Sequence, residues 1–270
     1  MKKGGFMQGL FKIRKDINKR AYLIAALSAF VILFGTWAFF SMSGMVKATI
    51  LPTPQAVADY IFKSIADGTL WNNMSISVFR IMTGFFIAVI FGVPLGILCG
   101  TFKIFESFIQ SVCEFVRYMP VPAFIPLVMV WVGIGEEAKV AVIFLGTLFQ
   151  IIPMTADNVR SIPEDLINAA YTLGAGRMQV IMKVIVPAIM PKLFETMRMM
   201  VGWAWTYLVV AELVAANSGL GYAILKAQRV LKTEAIFSGI LIIGILGIVT
   251  DRAFAFITKK SFRWVEWGDK

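Results

Sequence analysis

An all-α integral membrane protein of about six transmembrane helices is the fold class this sequence predicts, on three observations. The 270 residues are 59% hydrophobic with a mean hydropathy of +0.78, well above soluble usage. Apolar runs long enough to cross a bilayer recur along the chain, separated by short polar segments. Basic residues crowd both ends: Lys2, Lys3, Lys12, Arg14, Lys15, Lys19 and Arg20 before the first run, Lys259, Lys260 and Arg263 after the last. Six spans with short loops use nearly all the length and leave no room for a soluble catalytic domain. The chain contains no His, which removes the commonest general base, the commonest metal ligand and the usual nucleophilic triads. Cys99 and Cys113 lie in or beside apolar runs without metal-ligand spacing, and read as packing residues rather than a disulfide. The net charge of +10 is placed as topology requires, so nucleic acid is not an expected partner.

Residues 1–20 form a basic N-terminus that the positive-inside rule keeps in the cytoplasm. Residues 21–46 carry no charge and make the first transmembrane helix; the run is too long for a signal peptide and lacks a convincing cleavage site. An external segment, 47–76, contains Ile50-Leu51-Pro52-Thr53-Pro54, a stiff approach to an amphipathic helix near 55–66. The core transmembrane domain follows, 77–257. Its first span, about 78–100, carries Gly84, Gly92, Gly96 and Gly100, the last three on one face, where small residues let helices approach closely in lipid.

Residues 104–133 form a broken element, because Pro120, Pro122 and Pro126 remove backbone donors that lipid cannot replace. A tight outer turn, Gly133-Ile134-Gly135-Glu136-Glu137, leads to a fourth span at about 139–156. The fifth span, about 190–215, carries Trp203, Trp205, Tyr207 and Glu212; an outer segment, 216–233, holds Ser218-Gly219-Leu220-Gly221-Tyr222. The last span covers about 235–257, with Asp251 and Arg252 toward its inner end, and 258–270 is a cytoplasmic tail. Both termini are then cytoplasmic. Lys226, Arg229 and Lys232 dissent by falling outside, but the first basic block usually dominates orientation.

The segment Ser161–Pro191 is a polar, small-residue island between apolar spans. Ser161 and Glu164 have capping-box spacing, which predicts a helix start. Ala170 and Gly174 share one helical face without bulk, and Gly176 offers a stop. A short helix with a bare face, near 164–176, is suited to seat in another protein's groove.

This pattern resembles the cytoplasmic coupling motif of ABC importer permeases: Glu-Ala-Ala, three residues, Gly, nine residues, then Ile-x-Leu-Pro. The matching positions are Asn168, Ala169, Ala170, Gly174, Val184, Val186 and Pro187, with the spacing kept throughout. Asn168 replaces the motif's Glu, and two valines replace its Ile and Leu. Four more segments are similar to the nitrate/sulfonate/taurine branch of these permeases: Leu51-Pro52-Thr53-Pro54, Ser77-Val78-Phe79-Arg80 with Gly84, Gly92-Val93-Pro94-Leu95-Gly96, and Glu212 followed by Gly219-Leu220-Gly221.

The resemblance implies a type I ABC importer permease-like fold in a bacterial inner membrane. It also implies a second permease copy in a homodimer, ABC ATPase subunits at the coupling helix, and an external substrate-binding protein. Lipid surrounds the whole. The chain has no Gly-x-x-x-x-Gly-Lys-Ser/Thr loop, so it is expected to be no enzyme and to hold no cofactor itself, ATP and Mg being bound by the partner ATPase. The branch transports small anions such as nitrate, sulfonates, taurine or bicarbonate.

An anion path needs positive potential at depth. Arg117 lies thirteen residues past Ile104, roughly 20 Å inward at the helical rise, beyond the middle of a ~30 Å core. It lines the path, pairs with Glu114 or Glu212, or snorkels to the interface, and one residue can do both of the first two. Trp203, Trp205 and Tyr207 offer donors to a cavity or pack, and Glu212 either gates the outer end or pairs with Arg117 or Arg198. Two other classes stay open: an ion-gradient-driven secondary transporter or channel, for which no internal repeat is visible, and a membrane-embedded enzyme, for which clustered carboxylates are lacking.

Overall fold

The computed structural model describes residues 18–265, so the cations from Lys2 to Lys15 lie outside the described residues. These residues form helices and no strand: α1 (Lys19–Met42), α2 (Pro54–Ala66), α3 (Thr69–Thr101), α4 (Lys103–Arg117), α5 (Val121–Val132), α6 (Glu136–Arg160), α7 (Glu164–Thr172), α8 (Arg177–Val180), α9 (Val186–Ala215), α10 (Leu220–Arg229) and α11 (Thr233–Ser261). Helices α1, α3, α6 and α11 are each long and apolar enough to cross a membrane, and α4 with α5 makes a fifth candidate bent by 104°. Thirty-residue α9 is less apolar, because Lys192, Glu195, Arg198 and Glu212 interrupt it.

The breaks have covalent causes. Pro120 caps α5 in an extended conformation and restricts Met119 before it, so α4 cannot continue. Between α8 and α9 the backbone takes a π turn, Ile181–Ile185, and the Val186 N–H reaches back to Ile181. Pro187 follows immediately and has no N–H to extend the ordinary ladder. The stiff Leu51–Pro54 segment also works as its residues suggest. Thr53 Oγ1 accepts the Ala56 N–H at 3.2 Å, Pro54 occupies the first turn of α2, and the Pro52 carbonyl accepts the Trp37 indole N–H at 2.9 Å.

The core lies where α3, α6 and α9 meet, around Ile81, Phe85, Ala88, Ile143, Ile151, Met200, Ala204 and Leu208. The glycines of α3 let it lie against α6. An added Cβ would stand 2.8 Å from Ile143 at Gly84, 2.9 Å from Ile151 at Gly92, and 2.5 Å from Thr155 at Gly96 and from Val159 at Gly100. Helix α11 packs on α9, α10 and α2. By contrast α1 is exposed over most of its length and meets the bundle near its end, where Ser41 is buried and Trp37 stacks on Phe237 at 5.6 Å. Cys99 and Cys113 are buried, unbridged, and share a cluster with Ile152 and Ala156.

Because α3 and α6 touch backbone to backbone at Gly96, Gly96→Ala should cost about 1–3 kcal/mol of packing. The check is the thermal unfolding midpoint of the purified protein in detergent; a midpoint equal to wild type would contradict the close seam.

Candidate functional site

The short helix α7 follows α6 after three non-helical residues, Ser161, Ile162 and Pro163, and departs from the sequence expectation in three ways. It begins at Glu164 with Pro163 as its N-cap, and no side chain caps it. Ser161 instead ends α6, donating to the Asn158 carbonyl at 2.7 Å and accepting from Lys192 Nζ at 2.8 Å, so the expected capping box with Glu164 does not form.

The stop also differs: α7 ends at Thr172, and the left-handed residue is Gly174 with φ +80°, not Gly176. The Ala175 N–H bonds the Ala170 carbonyl at 3.0 Å and the Gly174 N–H bonds the Tyr171 carbonyl at 2.9 Å, a Schellman closure that wants glycine at this place. Gly176 starts α8, its N–H held by Gln179 at 2.9 Å.

The third departure concerns the docking face. Ala170 does not share a bare outer face with Gly174; it turns inward with Ile167 and Ala175 against Val159, Ile162 and Val180. The outward apolar residues are Leu166, Ala169 and Leu173, at helical spacing, with Leu173 88% exposed. Asn168 is exposed beside them, and its carbonyl accepts the Thr172 hydroxyl at 3.0 Å. Pro187 is exposed in the first turn of α9.

A second feature is a cavity of about 240 Å³ where the α4–α5 bend meets α6 and α9. Arg117, Gln150 and Tyr207 supply its polar lining; Val116, Pro120, Phe124 and Phe149 supply the apolar wall. The Tyr207 ring rests on Gly146, where a Cβ would stand 2.8 Å from it. Arg117 is exposed and pairs with neither Glu114 nor Glu212. Its contacts are the Tyr118 hydroxyl at 3.4 Å and the Tyr118 ring at 5.2 Å, while Glu114 takes a hydrogen bond from Gln110. Most of the guanidinium donors thus have no hydrogen-bond partner among the described residues.

Other expected residues are dispersed. Trp203 is 46% exposed on the open face of α9, with Glu195, Met199 and Thr206. Trp205 is buried and donates to Thr250 at 3.2 Å. Glu212 is fully buried away from the cavity and pairs with Arg80 at 2.7 Å. Arg198 pairs with Asp251 in two bonds of 2.5 and 2.6 Å, not with Glu212. Arg80 escaped the sequence reading as a site residue; its signal was a guanidinium at the margin of an apolar span.

A bundle with a bent, proline-broken element beside a largely apolar cavity that holds one Arg, and a short exposed helix at one end, is the arrangement of a membrane transport component. Residues 92–263 match the binding-protein-dependent transport system inner membrane component family, and the chain belongs to that family. Within it, the chain is an ABC importer permease subunit of the nitrate/sulfonate/taurine branch. It is 30% identical to the taurine transport system permease protein TauC of Escherichia coli K12, over 88% of this chain and 89% of that one. It is 32% identical to the putative aliphatic sulfonates transport permease protein SsuC of Bacillus subtilis 168, over 93% and 92%. The bicarbonate transport system permease protein CmpB of Synechococcus elongatus is 29% identical over 97% and 95%. In fold, the chain is similar to a structure of the MetNI methionine ABC transporter, inward facing, with TM-score 0.64, 20% identity, and coverage of 70% and 94%.

The left-handed backbone at Gly174 sets a graded expectation. Gly174→Val should weaken the α7–α8 turn by about 1–2 kcal/mol relative to Gly174→Asn, since Asn enters this region more readily. Protease cleavage between α7 and α8 reports it, and equal cleavage of both variants would contradict the assigned closure.

Proposed function

We propose that this permease forms one half of a translocation path for a small anion, working as a pair of identical copies. Two ATPase subunits bind α7 on the cytoplasmic side, and an external binding protein delivers the ligand. The observation that carries this reading is the outward set Leu166, Ala169 and Leu173 on a helix whose end is fixed by its own backbone. Apolar side chains this exposed at the polar end of a membrane bundle need a cover, and the separate ATPase of an ABC importer is such a cover. Orientation follows: α7 and both termini are cytoplasmic, α2 and α10 external.

The polar stripe of α9 supports pairing. Glu195 and Thr206 on the exposed face of a spanning helix are poorly placed in lipid, and suit a second copy or a central wet path. The Arg117, Gln150 and Tyr207 side chains that line the cavity support an anion as cargo; taurine, sulfonates and bicarbonate, named for the relatives, fit that chemistry. In the cycle, ATP-driven closure of the partners presses on α7. Through α8 and the π turn the push reaches α9, and the path opens to one side or the other as contact with the partner differs between states.

Two outcomes check the assignment. Leu173→Asp changes a side chain in solvent, so folding should hold within about 0.5 kcal/mol, while ATPase co-purification and uptake fall about tenfold or more. Gly174→Asp should likewise insert yet uncouple hydrolysis from uptake. Unchanged co-purification would contradict docking at α7. For the path, uptake into proteoliposomes should fall in Arg117→Ala and recover in part in Arg117→Lys; full transport in both would remove Arg117 from it.

A further inference from the structure

The loop between α9 and α10 is held by an unusual set of bonds. Four consecutive residues use their backbone on side chains of α3 and α9. The Ser218 carbonyl accepts from Arg80 Nη1 at 2.7 Å. The Gly219 N–H donates to Asn73 Oδ1 at 3.0 Å, the Leu220 N–H to Ser77 Oγ at 2.9 Å, and the Gly221 N–H to Glu212 Oε2 at 2.7 Å. The last three are free amides at the start of α10, which ordinarily look to their own N-cap. Gly219 caps nothing, having no side chain. The cap of α10 is therefore supplied by two other helices.

The supports are themselves locked. Ser77 Oγ donates to Glu212 Oε1 at 2.8 Å, and the same oxygen accepts from Arg80 at 2.7 Å. Arg80 turns its remaining edge to Glu136 at the start of α6, in two bonds of 2.6 and 2.7 Å, and Lys139 reaches Glu136 at 2.8 Å. Arg80, Glu212 and Ser77 show no exposure. Asn73, Ser77 and Arg80 lie on one face of α3 at spacings of four and three. Gly219, at φ +109°, admits no Cβ, which would overlap the Glu212 carboxylate and Arg80.

An apolar cluster could hold these helices together equally well, since buried ion pairs seldom add net stability. Directional bonds to successive backbone groups do something else: they fix the angle at which α10 leaves the spans. We infer that Arg80 and Glu212 are positioning residues of a joint that makes external helix α10 rigid with α3, α6 and α9. Force applied to α10 from outside then reaches the spans that carry the cavity and, through α9, the cytoplasmic coupling end. This rests on the importer reading, which makes an external delivering protein the source of that force.

The test uses the assembled transporter in proteoliposomes and the charge-neutral double variant Arg80→Met/Glu212→Met, which leaves no buried charge unpaired; Gly219→Ala is a second, independent lesion. Amide exchange at Gly219, Leu220 and Gly221 reads the joint, and substrate moved per ATP hydrolysed reads its use. Expected are assembly in normal yield, protection at the three amides reduced about tenfold, and transport per ATP reduced by a similar factor, within the usual range of coupling between sites. Retained protection in the double variant would overturn the joint. Lost protection with wild-type transport per ATP would overturn its role in transmission, leaving a structural contact only. Failure of the wild-type complex to couple ATP to uptake would count against the importer reading instead, and the exchange result would still decide the joint.

Discussion

The close approach of α3 and α6 is the constraint on which the remaining arrangement rests. Lipid gives two apolar helices no hydrophobic reason to meet, so contact must come from shape. Glycines at 84, 92, 96 and 100 supply that shape, each lying over an α6 side chain where a methyl group would collide. The seam runs nearly the length of α6. At one end it brings Arg80 to Glu136; at the other it sets Gly100 beside Val159, just before α6 ends and α7 begins. One packed pair of helices thus spans the distance between the capped α10 loop and the exposed α7 helix.

Two of the breaks in the helices stand against neighbouring helices. The bend at Pro120 faces α6 and α9 across the Arg117 cavity rather than standing free, and the π turn before Pro187 packs through Ile185 into the cluster around Val159 and Val180. That follows from the medium, since unsatisfied peptide groups are expensive in hydrocarbon. The same logic separates charges by role. Arg198 and Asp251 satisfy one another between α9 and α11, Arg80 is consumed by two carboxylates, and Arg117 keeps most of its donors open.

Hydropathy made the membrane helices legible because each is a continuous property of its own segment. Helix ends shifted by a few residues, and α10 was missed, being short and amphipathic within what read as an outer loop. The segment around α7 was legible as a motif match but not in its geometry: Pro163 displaced the capping role from Ser161, and Ala170 proved to face the protein while Leu173 faces out. The Arg80 network could not be assembled from the sequence, since its partners lie 56 to 138 residues apart and no local period connects them. Arg198 falls farther inside its expected span than Arg80, which stands two residues past the start of one, and this favoured the wrong partner for Glu212.

Coupling through α7 requires that α7 lie on the cytoplasmic side of the membrane. Sidedness can be measured with single cysteines at Leu173 and at Lys226, labelled by a membrane-impermeant maleimide in sealed right-side-out vesicles; the native Cys99 and Cys113 are buried and contribute little background. Labelling of Lys226→Cys in intact vesicles, and of Leu173→Cys only after permeabilisation, is the result predicted. The reverse pattern would place α7 where no ATPase can reach it and would contradict the proposed coupling.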